Sequence, residues 1–388
     1  MHSLDLVAQQ KLTSLEDRRL RRRLHATRRL PGGRVERDGR VLVDFCSNDL
    51  LSLTHDPAVV AAATAATETY GTGSGASRLV TGNHPLLANL ETRLAAHHGT
   101  EDALVFGSGY LTNAGVVPSL VGPQDVVFID ELAHACLYAG AQLSRAAVVR
   151  VRHNDVAAFA QALAVHRARH RRAMMLTDTV FSMDGDVAPV AELDALCRQH
   201  DTWLMTDDAH GIGVVKVDNP APLKGGTLSK ALAAYGGYIC GSRVVMDLLR
   251  TRARTLIYST GLPPGVVATA IAALDRIESD PDWCARPHQL ACRFARAMGL
   301  PEPAAGIVPW VLGSPERALA VSQVLLEQGF LVTAIRPPTV PEGTARLRFT
   351  FQAAHTEAQV DAVAAAALAT VAPHNRAQEP KDPPLATP

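Results

Sequence analysis

Lys230 is the residue that most strongly suggests chemistry, because it lies among small residues in the stretch from Thr227 to Gly237, TLSKALAAYGG. Small residues at this density indicate close backbone packing rather than a solvated surface. A lysine amine in a packed setting has a lowered pKa and becomes a nucleophile or a base. The alternative is an ordinary surface lysine before a Gly-Gly turn, which is the more common case. The chemical interpretation therefore depends on whether other reactive residues converge on Lys230.

A carboxylate and an imidazole follow a predicted strand in the segment TWLMTDDAHGIG. Asp207 and His210 of this segment can point to one place from the turn at the strand end. An isolated buried carboxylate is costly, so Asp207 needs a positive partner or hydrogen-bond donors. The alternative is an aspartate that caps a helix, followed by a histidine in a turn.

Three further segments place polar groups at the ends of predicted strands. In LVFGSGYLTNAG, Gly109 and Tyr110 open a helix whose N-terminal N–H groups suit a phosphate. His134 in DELAHACLYAG adds an imidazole, and Ser182 in TDTVFSMDGDVAP adds a hydroxyl. Each pattern is common on its own, and a lone histidine is more often a core or capping group.

In combination, these segments predict a site for pyridoxal 5'-phosphate (PLP). Lys230 would form a Schiff base with the aldehyde of the cofactor. Asp207 would keep the ring nitrogen protonated, so that the ring withdraws electrons from a neighbouring carbanion. The small residues around Lys230 would allow the ring and the phosphate to approach the backbone closely.

The composition predicts a soluble, globular protein of one large or two smaller domains. The chain has 388 residues, 47% hydrophobic and 20% charged, and Lys plus Arg equals Asp plus Glu at 38 each. This balance argues against nucleic-acid or membrane binding, and the basic run RRLRRRLHATRR is expected on a solvated helix face.

No membrane span or signal peptide is recognised, so a cytoplasmic protein is expected. The six cysteines form no zinc or disulfide pattern, so we expect no metal and mostly buried, reduced thiols.

Short apolar runs alternate with helix-length stretches up to about Thr260, which predicts an α/β domain with a mostly parallel sheet covered by helices. Helical stretches, further short strands and an Ala-rich helix follow, and they predict a smaller α+β domain. The expected limits are an N-terminal segment at 1–45, a large PLP-binding domain at 46–262, a small C-terminal domain at 263–372 and a disordered, Pro-rich tail at 373–388.

Nine motifs, in order, resemble those of the α-oxoamine synthases: SNDLL, GSGASRLVTGNH, FGSGYLTN, DELAHACL, TDTVFSMDGD, DDAHGIG, GTLSKAL, IYSTGLPP and IRPPTVPEGTARLRFT. The resemblance extends from about Leu20 to about Ala366. It implies a PLP-dependent transferase with the aspartate aminotransferase-like fold, which condenses an amino acid with an acyl thioester and loses carbon dioxide. SRLVTGNH and IRPPTVPEGTARLR are most similar to the acyltransferases of biotin biosynthesis, which join L-alanine to a pimeloyl thioester of coenzyme A or acyl carrier protein.

The resemblance implies a role for each matching cofactor residue. Lys230 holds the cofactor and later removes the Cα proton, and Asp207 pairs with the ring nitrogen. His210 and Ser182 bond the phenolic oxygen, while His134 stacks on one face of the ring.

The remaining implied contacts are to the phosphate and to the substrates. Backbone N–H groups of Gly109 and Tyr110 and the hydroxyl of Thr227 bind the phosphate, and Thr260 reaches the phosphate of a partner subunit. A homodimer with shared sites is therefore expected. The implied substrate residues are Arg348 for the amino-acid carboxylate, Asn48 beside it, Arg21 at the acyl channel, and Arg336 and Thr339 for the distal end of the acyl chain.

The sequence departs from the family pattern at three places. Leu50 and Ser52 replace a tyrosine and a glycine in the usual SNDYLGL, Asp178 replaces a glutamate, and the segment from Gly213 to Thr227 is short. These departures leave two alternatives open. One is a different synthase of the family, such as a glycine C-acetyltransferase, and the other is a catalytically silent protein with the same fold.

Overall fold

The computed structural model describes residues 2–18, 20–22 and 24–371, so the tail predicted at 373–388 lies outside the described residues. The helices are α1 (Ser3–Asp17), α2 (Pro57–Tyr70), α3 (Pro85–His98), α4 (Gly109–Leu120), α5 (Ala135–Ser144), α6 (Val156–His166), α7 (Val190–Gln199), α8 (Arg243–Arg252), α9 (Arg254–Ile257), α10 (Pro264–Ser279), α11 (Pro281–Met298), α12 (Pro315–Glu327) and α13 (Glu357–Val371). The strands are β1 (Thr27–Leu30), β2 (Arg34–Arg37), β3 (Arg40–Asp44), β4 (Asp102–Phe106), β5 (Val126–Asp130), β6 (Ala147–Val151), β7 (Ala173–Asp178), β8 (Trp203–Asp207), β9 (Leu223–Thr227), β10 (Gly237–Gly241), β11 (Ile307–Gly313), β12 (Phe330–Leu331), β13 (Thr333–Ile335) and β14 (Ala345–Thr350).

A seven-stranded sheet forms the centre of the molecule, in the order β4-β10-β9-β8-β7-β5-β6. The pairs from β9 to β6 are parallel, and β10 is antiparallel to both of its neighbours. Strands β5 and β7 are buried along their whole length, which explains their uninterrupted apolar sequences. Apolar side chains of helices pack on both faces of this sheet. The predicted α/β architecture with a mostly parallel sheet is confirmed.

A three-stranded sheet, β11-β14-β13, packs with α11, α12 and α13 around a second core. The third sheet has the order β1-β2-β3-β12, and its parallel pair β3–β12 joins the N-terminal strands to this C-terminal region. The domain limits given above therefore remain a prediction, because residues on both sides of the proposed boundaries share one sheet.

The described residues of the basic run are not helical, contrary to expectation. Helix α1 ends at Asp17, and Arg28 and Arg29 belong to β1, which pairs with β2 through the turn at 31–33. Gly32 and Gly33 adopt positive φ angles of 77° and 64° in that turn. Strand pairing thus overrides the helix expected from the charge pattern.

The segment before Lys230 is a strand even though it is short. Strand β9 lies parallel to β8, and Gly225 is opposite Asp207. A Cβ at Gly226 would lie 2.4 Å from the hydroxyl oxygen of Tyr238, whose ring is fully buried, so a glycine is required there. The strand therefore places Lys230 beside the carboxyl end of β8.

No helix in the described part of the chain is long and apolar enough to cross a membrane.

Candidate active site

The carboxyl ends of β7, β8 and β9 bring the predicted reactive groups together. Asp178 and Asp207 are register neighbours on β7 and β8, and Lys230 follows β9. A cavity of about 990 Å³ opens here. Of the predicted site residues, those that line it are Asn48, His134, Ser182, His210, Lys230, Thr339 and Arg348.

Asp207 is buried and is held by donors. Nδ2 of Asn113 donates a hydrogen bond of 2.6 Å to Oδ2 of Asp207, and the N–H of Ala209 donates one of 3.0 Å to Oδ1. Sγ of Cys136 lies 3.9 Å from Oδ2. These contacts fix the orientation of a carboxylate that would otherwise be costly to bury. Asn113 and Cys136 were not among the predicted site residues.

His134 is fixed at the N-terminus of α5. Its backbone N–H donates a 2.8 Å hydrogen bond to Oδ2 of Asp178, and its Nδ1 accepts one of 3.3 Å from the N–H of Cys136. Burial lowers the pKa of His134, although the charge of Asp207 opposes this. The ring is therefore neutral, and its proton is on Nε2 because Nδ1 is an acceptor. Such a ring can cover a flat ligand without adding charge.

Lys230 and His210 are two basic groups whose pKa values are lowered in the site. Burial lowers the pKa of Lys230, while the carboxylates of Asp207 and Asp178 partly restore it. Burial and the charges of Lys230 and Arg348 lower the pKa of His210 well below its usual value. Nδ1 of His210 is buried and has no hydrogen-bond partner among the described residues. Such an atom indicates a site that is completed by a ligand.

The start of α4 forms an anion cradle against β9 and β10. Ser108 caps the helix by accepting a 3.1 Å hydrogen bond from the N–H of Leu111. A Cβ at Gly109 would lie 3.2 Å from Cβ of Thr227, and a Cβ at Gly237 would lie 2.4 Å from the nitrogen of Gly109. Gly109 and Gly237 therefore allow the start of α4 to pack closely against β9 and β10, and the backbone N–H groups at such a helix start suit a phosphate.

Two hydroxyls stand beside this cradle. Oγ1 of Thr227 donates a 2.9 Å hydrogen bond to the carbonyl of Gly236 and lies 2.8 Å from Oγ of Ser229. Ser229 was not predicted as a site residue. The hydroxyl proton of Thr227 is already donated to the carbonyl of Gly236. The hydroxyl of Ser229 can therefore also turn towards an anion and donate to it.

Arg348 is prepared to bind a carboxylate. Its Nη2 donates a 3.0 Å hydrogen bond to Oδ1 of Asn48, while its Nε is buried and has no partner in the part of the chain that the structure describes. Burial lowers the pKa of Arg348 to about 10, so the guanidinium is still charged at neutral pH. Asn48 therefore orients the guanidinium group of Arg348, whose Nε remains available to donate to a carboxylate.

Lys230 can be approached from two sides. A second cavity, of about 430 Å³, shares Asn48 and Lys230 with the first and is also lined by Arg29, Thr54 and Ser229. Two openings on one amine suit a reaction that brings two substrates together.

Three predicted site residues line neither of the two cavities at Lys230 and take no part in the site contacts described above. Arg21 forms an ion pair with Glu16. The carbonyl of Arg336 accepts a 3.0 Å hydrogen bond from the N–H of Thr339, but the side chain of Arg336 does not line the cavity. Thr260 forms a β-bridge with Ser77 beside a separate small recess. Their roles remain predictions.

Comparison with known proteins places this geometry in a family. The model of the family "Aminotransferase class I and II" matches residues 40–366. The chain belongs to this family. A curated 8-amino-7-oxononanoate synthase of Methylorubrum extorquens (strain PA1) is 58% identical over 367 residues, which are 95% of this chain and 96% of that protein.

Solved structures agree with the assignment. A serine palmitoyltransferase of Sphingomonas wittichii has a TM-score of 0.88 and 27% identity, covering 96% of this chain and 98% of that chain. A serine palmitoyltransferase of S. paucimobilis, with a bound PLP–myriocin aldimine, has a TM-score of 0.86 and 28% identity, covering 94% and 96%. The resemblance recognised in the sequence and the fold of a PLP-dependent transferase are confirmed.

Proposed function

We propose that this chain is an acyltransferase that condenses L-alanine with a pimeloyl thioester, with loss of carbon dioxide, to form 8-amino-7-oxononanoate in biotin biosynthesis. The observation that carries the proposal is that Lys230, His134 and His210 line one cavity and that the buried Asp207 lies close enough to act on Lys230 and His134, in a chain 58% identical to a curated synthase of that name. The presence of all four side chains argues against a catalytically silent protein.

The residues present fit PLP as the cofactor. The cradle at Gly109 suits its phosphate, the buried Asp207 suits its ring nitrogen, and the unpartnered Nδ1 of His210 suits its phenolic oxygen together with Ser182. Lys230 supplies the amine that holds it. When bound, PLP supplies an electron sink for the carbanion that forms beside the amino-acid nitrogen.

The side chains of the site divide the work of the reaction. Arg348 binds the carboxylate of L-alanine through its open donors, and Asn48 keeps the guanidinium in place. Lys230, with its lowered pKa, takes the proton from Cα. The neutral ring of His134 covers one face of the cofactor site, so water and the acyl donor reach the amino acid only from the opposite face. Holding both substrates in one cleft supplies orientation.

The finer partner assignments are part of the same proposal. The enzyme is a cytoplasmic homodimer, and Thr260 of one subunit reaches the phosphate site of the other. Large apolar side chains near the Ser77–Thr260 bridge support a partner surface, because Leu79, Val80 and Tyr258 are 60%, 74% and 73% exposed. The acyl carrier is coenzyme A or acyl carrier protein, and Arg21, Arg336 and Thr339 contact the acyl donor.

The test is a product assay combined with absorbance spectroscopy of the purified holoenzyme. L-Alanine is expected to shift the visible cofactor band, and addition of pimeloyl thioester is expected to release 8-amino-7-oxononanoate. Lys230→Ala serves as the control and should form no product. If glycine shifts the band and L-alanine does not, a synthase with another amino acid, such as a glycine C-acetyltransferase, replaces the proposal. If no cofactor band forms on reconstitution, the silent alternative replaces it.

A further inference from the structure

The loop of residues 181–187, here called the Ser182 loop, connects the cofactor site with the C-terminal sheet. It is a tight turn in which the N–H of Phe181 donates a 2.9 Å hydrogen bond to the carbonyl of Asp186, and the N–H of Gly185 donates one of 2.8 Å to Phe181. A bridge between Val180 and Val187 closes its base. Ser182, which lines the main cavity, is therefore carried on a compact and well-bonded segment.

The base of the Ser182 loop is anchored to the central sheet by His153. Nδ1 of His153 lies 2.9 Å from Oδ1 of Asp130 at the end of β5, and Nε2 lies 2.7 Å from Oδ2 of Asp186 in the loop. Nδ2 of Asn154 donates a further 2.7 Å hydrogen bond to Asp186. Burial disfavours a charge on the ring, but the hydrogen bonds to the two carboxylates outweigh it and raise the pKa of His153 to about 10. An imidazolium between two carboxylates fixes the base of the loop.

The tip of the same loop lies on the C-terminal sheet. Asp184 forms an ion pair with Arg346 of β14, and Arg346 is only 5% exposed. A Cβ at Gly185 would lie 2.5 Å from the carbonyl oxygen of Ile307 of β11. The tip thus makes one charged contact and one close backbone contact with two neighbouring strands of that sheet.

Arg346 and Arg348 are two residues apart on β14, so their side chains leave the same face of the strand. Both line the main cavity. Arg346 is neutralised by Asp184, whereas Arg348 has Asn48 as its hydrogen-bond partner and an open Nε. Arg346 is therefore not the receiver of the substrate carboxylate, and its ion pair must serve another purpose.

We infer that Asp184 and Arg346 are positioning residues, which fix β14 against the Ser182 loop and so set the place of the Arg348 guanidinium relative to the Ser182 hydroxyl. On the proposed function, on which this inference rests, that placement determines where the amino-acid carboxylate lies relative to the cofactor. The pair acts on amino-acid binding through Arg348 and does not touch the reacting atoms.

The inference is tested on the holoenzyme with Asp184→Asn and Asp184→Ala. The measurements are the apparent Kd of L-alanine from the absorbance shift, the Kd of PLP for the apoenzyme, and the Tm. The matched control is Asp361→Asn, which removes an exposed ion pair with Arg293 in the same C-terminal region. We expect both Asp184 variants to weaken L-alanine binding at least about tenfold, with PLP affinity changed less than about twofold. Tm should fall in Asp184→Ala, which leaves the buried Arg346 without its partner, and fall less in Asp184→Asn, which keeps a hydrogen-bonding side chain. The control should change neither affinity.

The outcomes separate the inference from the proposed function. An unchanged Kd for L-alanine in both Asp184 variants overturns the positioning role. A parallel loss of L-alanine affinity, PLP affinity and Tm overturns it as well, because a general structural role then explains the data. A wild-type enzyme whose spectrum responds neither to L-alanine nor to glycine overturns the proposed function itself, and the inference with it.

Discussion

Asp207 depends on Asn113 for its orientation. The 2.6 Å hydrogen bond between them is charge-assisted and buried, and such bonds contribute about 1.5–3 kcal/mol. We expect Asn113→Ala to lower kcat/KM by roughly 10- to 100-fold, since about 1.4 kcal/mol corresponds to a factor of ten in rate. Steady-state kinetics with L-alanine and pimeloyl thioester check this.

Cys136→Ala provides the comparison for Asn113→Ala. Its thiol lies 3.9 Å from Asp207 and contributes much less to its orientation, so a loss below about fivefold is expected. Equal losses of kcat/KM in the two variants would show that side-chain packing against Asp207, and not the amide donor of Asn113, determines the orientation of this carboxylate.

His153 gives a pH dependence of stability with a definite sign. The folded pKa is raised from 6.5 to about 10, so its stabilising contribution is complete below about pH 6.5 and is lost as the pH rises through about 10. The groups that face the ring are Asp130 and Asp186, and the carboxylate of Glu131 accepts a hydrogen bond from the backbone N–H of His153. The difference in the free energy of unfolding between wild type and His153→Gln should therefore be largest near pH 6 and shrink towards pH 10.

Urea unfolding of both proteins across this pH range checks that prediction. Other titrating groups are shared by the two proteins and cancel in the difference. A difference that is constant from pH 6 to pH 10 would show that the ring is not an imidazolium in the folded protein.

Single residues of the site were predictable where a motif carries the chemistry. Asp207 and His210 stand at the end of β8, whose apolar run is evident in the sequence, whereas Lys230 was recognised from its small neighbours, because the strand before it, LKGGT, is not an apolar run. Asn113 and Ser229 were missed because their roles depend on partners that are distant in the chain or on the rotation of one hydroxyl. A signal was available for Asn113, since it begins the run NAGVV, whose other residues are small or apolar, and a buried amide needs a partner.

At the level of elements, the anion cradle depends on how closely β10 approaches the start of α4. A Cβ at Gly237 would lie 2.4 Å from the nitrogen and 2.5 Å from Cα of Gly109. Gly237→Ala should therefore displace the helix start and weaken PLP binding at least about tenfold. Absorbance titration of the apoenzyme with PLP measures this.

The control for that substitution is Gly73→Ala, at a glycine where a Cβ would meet nothing within 4 Å. It should leave the affinity for PLP unchanged. If Gly237→Ala binds PLP as tightly as wild type, the N–H groups at the start of α4 are not the phosphate site.

The elements were predictable to different degrees for a physical reason. Strands β5 and β7 are buried along their whole length, so their sequences are nearly continuous apolar runs that can be recognised locally, whereas β6 is mostly exposed and β9 contains Lys224 and two glycines. The pairing of β3 with β12 joins residues nearly 300 positions apart, and no local pattern announces it. The end of the basic run was misjudged for a different reason, because the local pairing of β1 with β2, and not charge, decides the structure of Arg28 and Arg29.

At the scale of the whole molecule, the proposed function expects a residue of a second chain at each phosphate site. Thr260, the residue expected at the phosphate of a partner, forms its bridge to Ser77 outside the cavity that contains Lys230. The nearby segment presents Leu79 and Val80 to solvent, and exposed apolar side chains this close together are typical of interfaces. A second copy of the chain would cover these side chains and supply Thr260 to the site.

Val80→Glu tests the dimer and the sharing of sites together. A charge buried at an interface without a partner is costly, so we expect the mass in light scattering to fall from twice the 41.3 kDa of one chain to that of a single chain. Affinity for PLP should fall in parallel, since the monomer loses the partner's contribution to the phosphate site. The matched control is Val244→Glu on α8, because Val244 is 79% exposed against 74% for Val80. A monomeric Val80→Glu variant that binds PLP as tightly as wild type would mean that each subunit completes its own phosphate site and that Thr260 has no role across the interface.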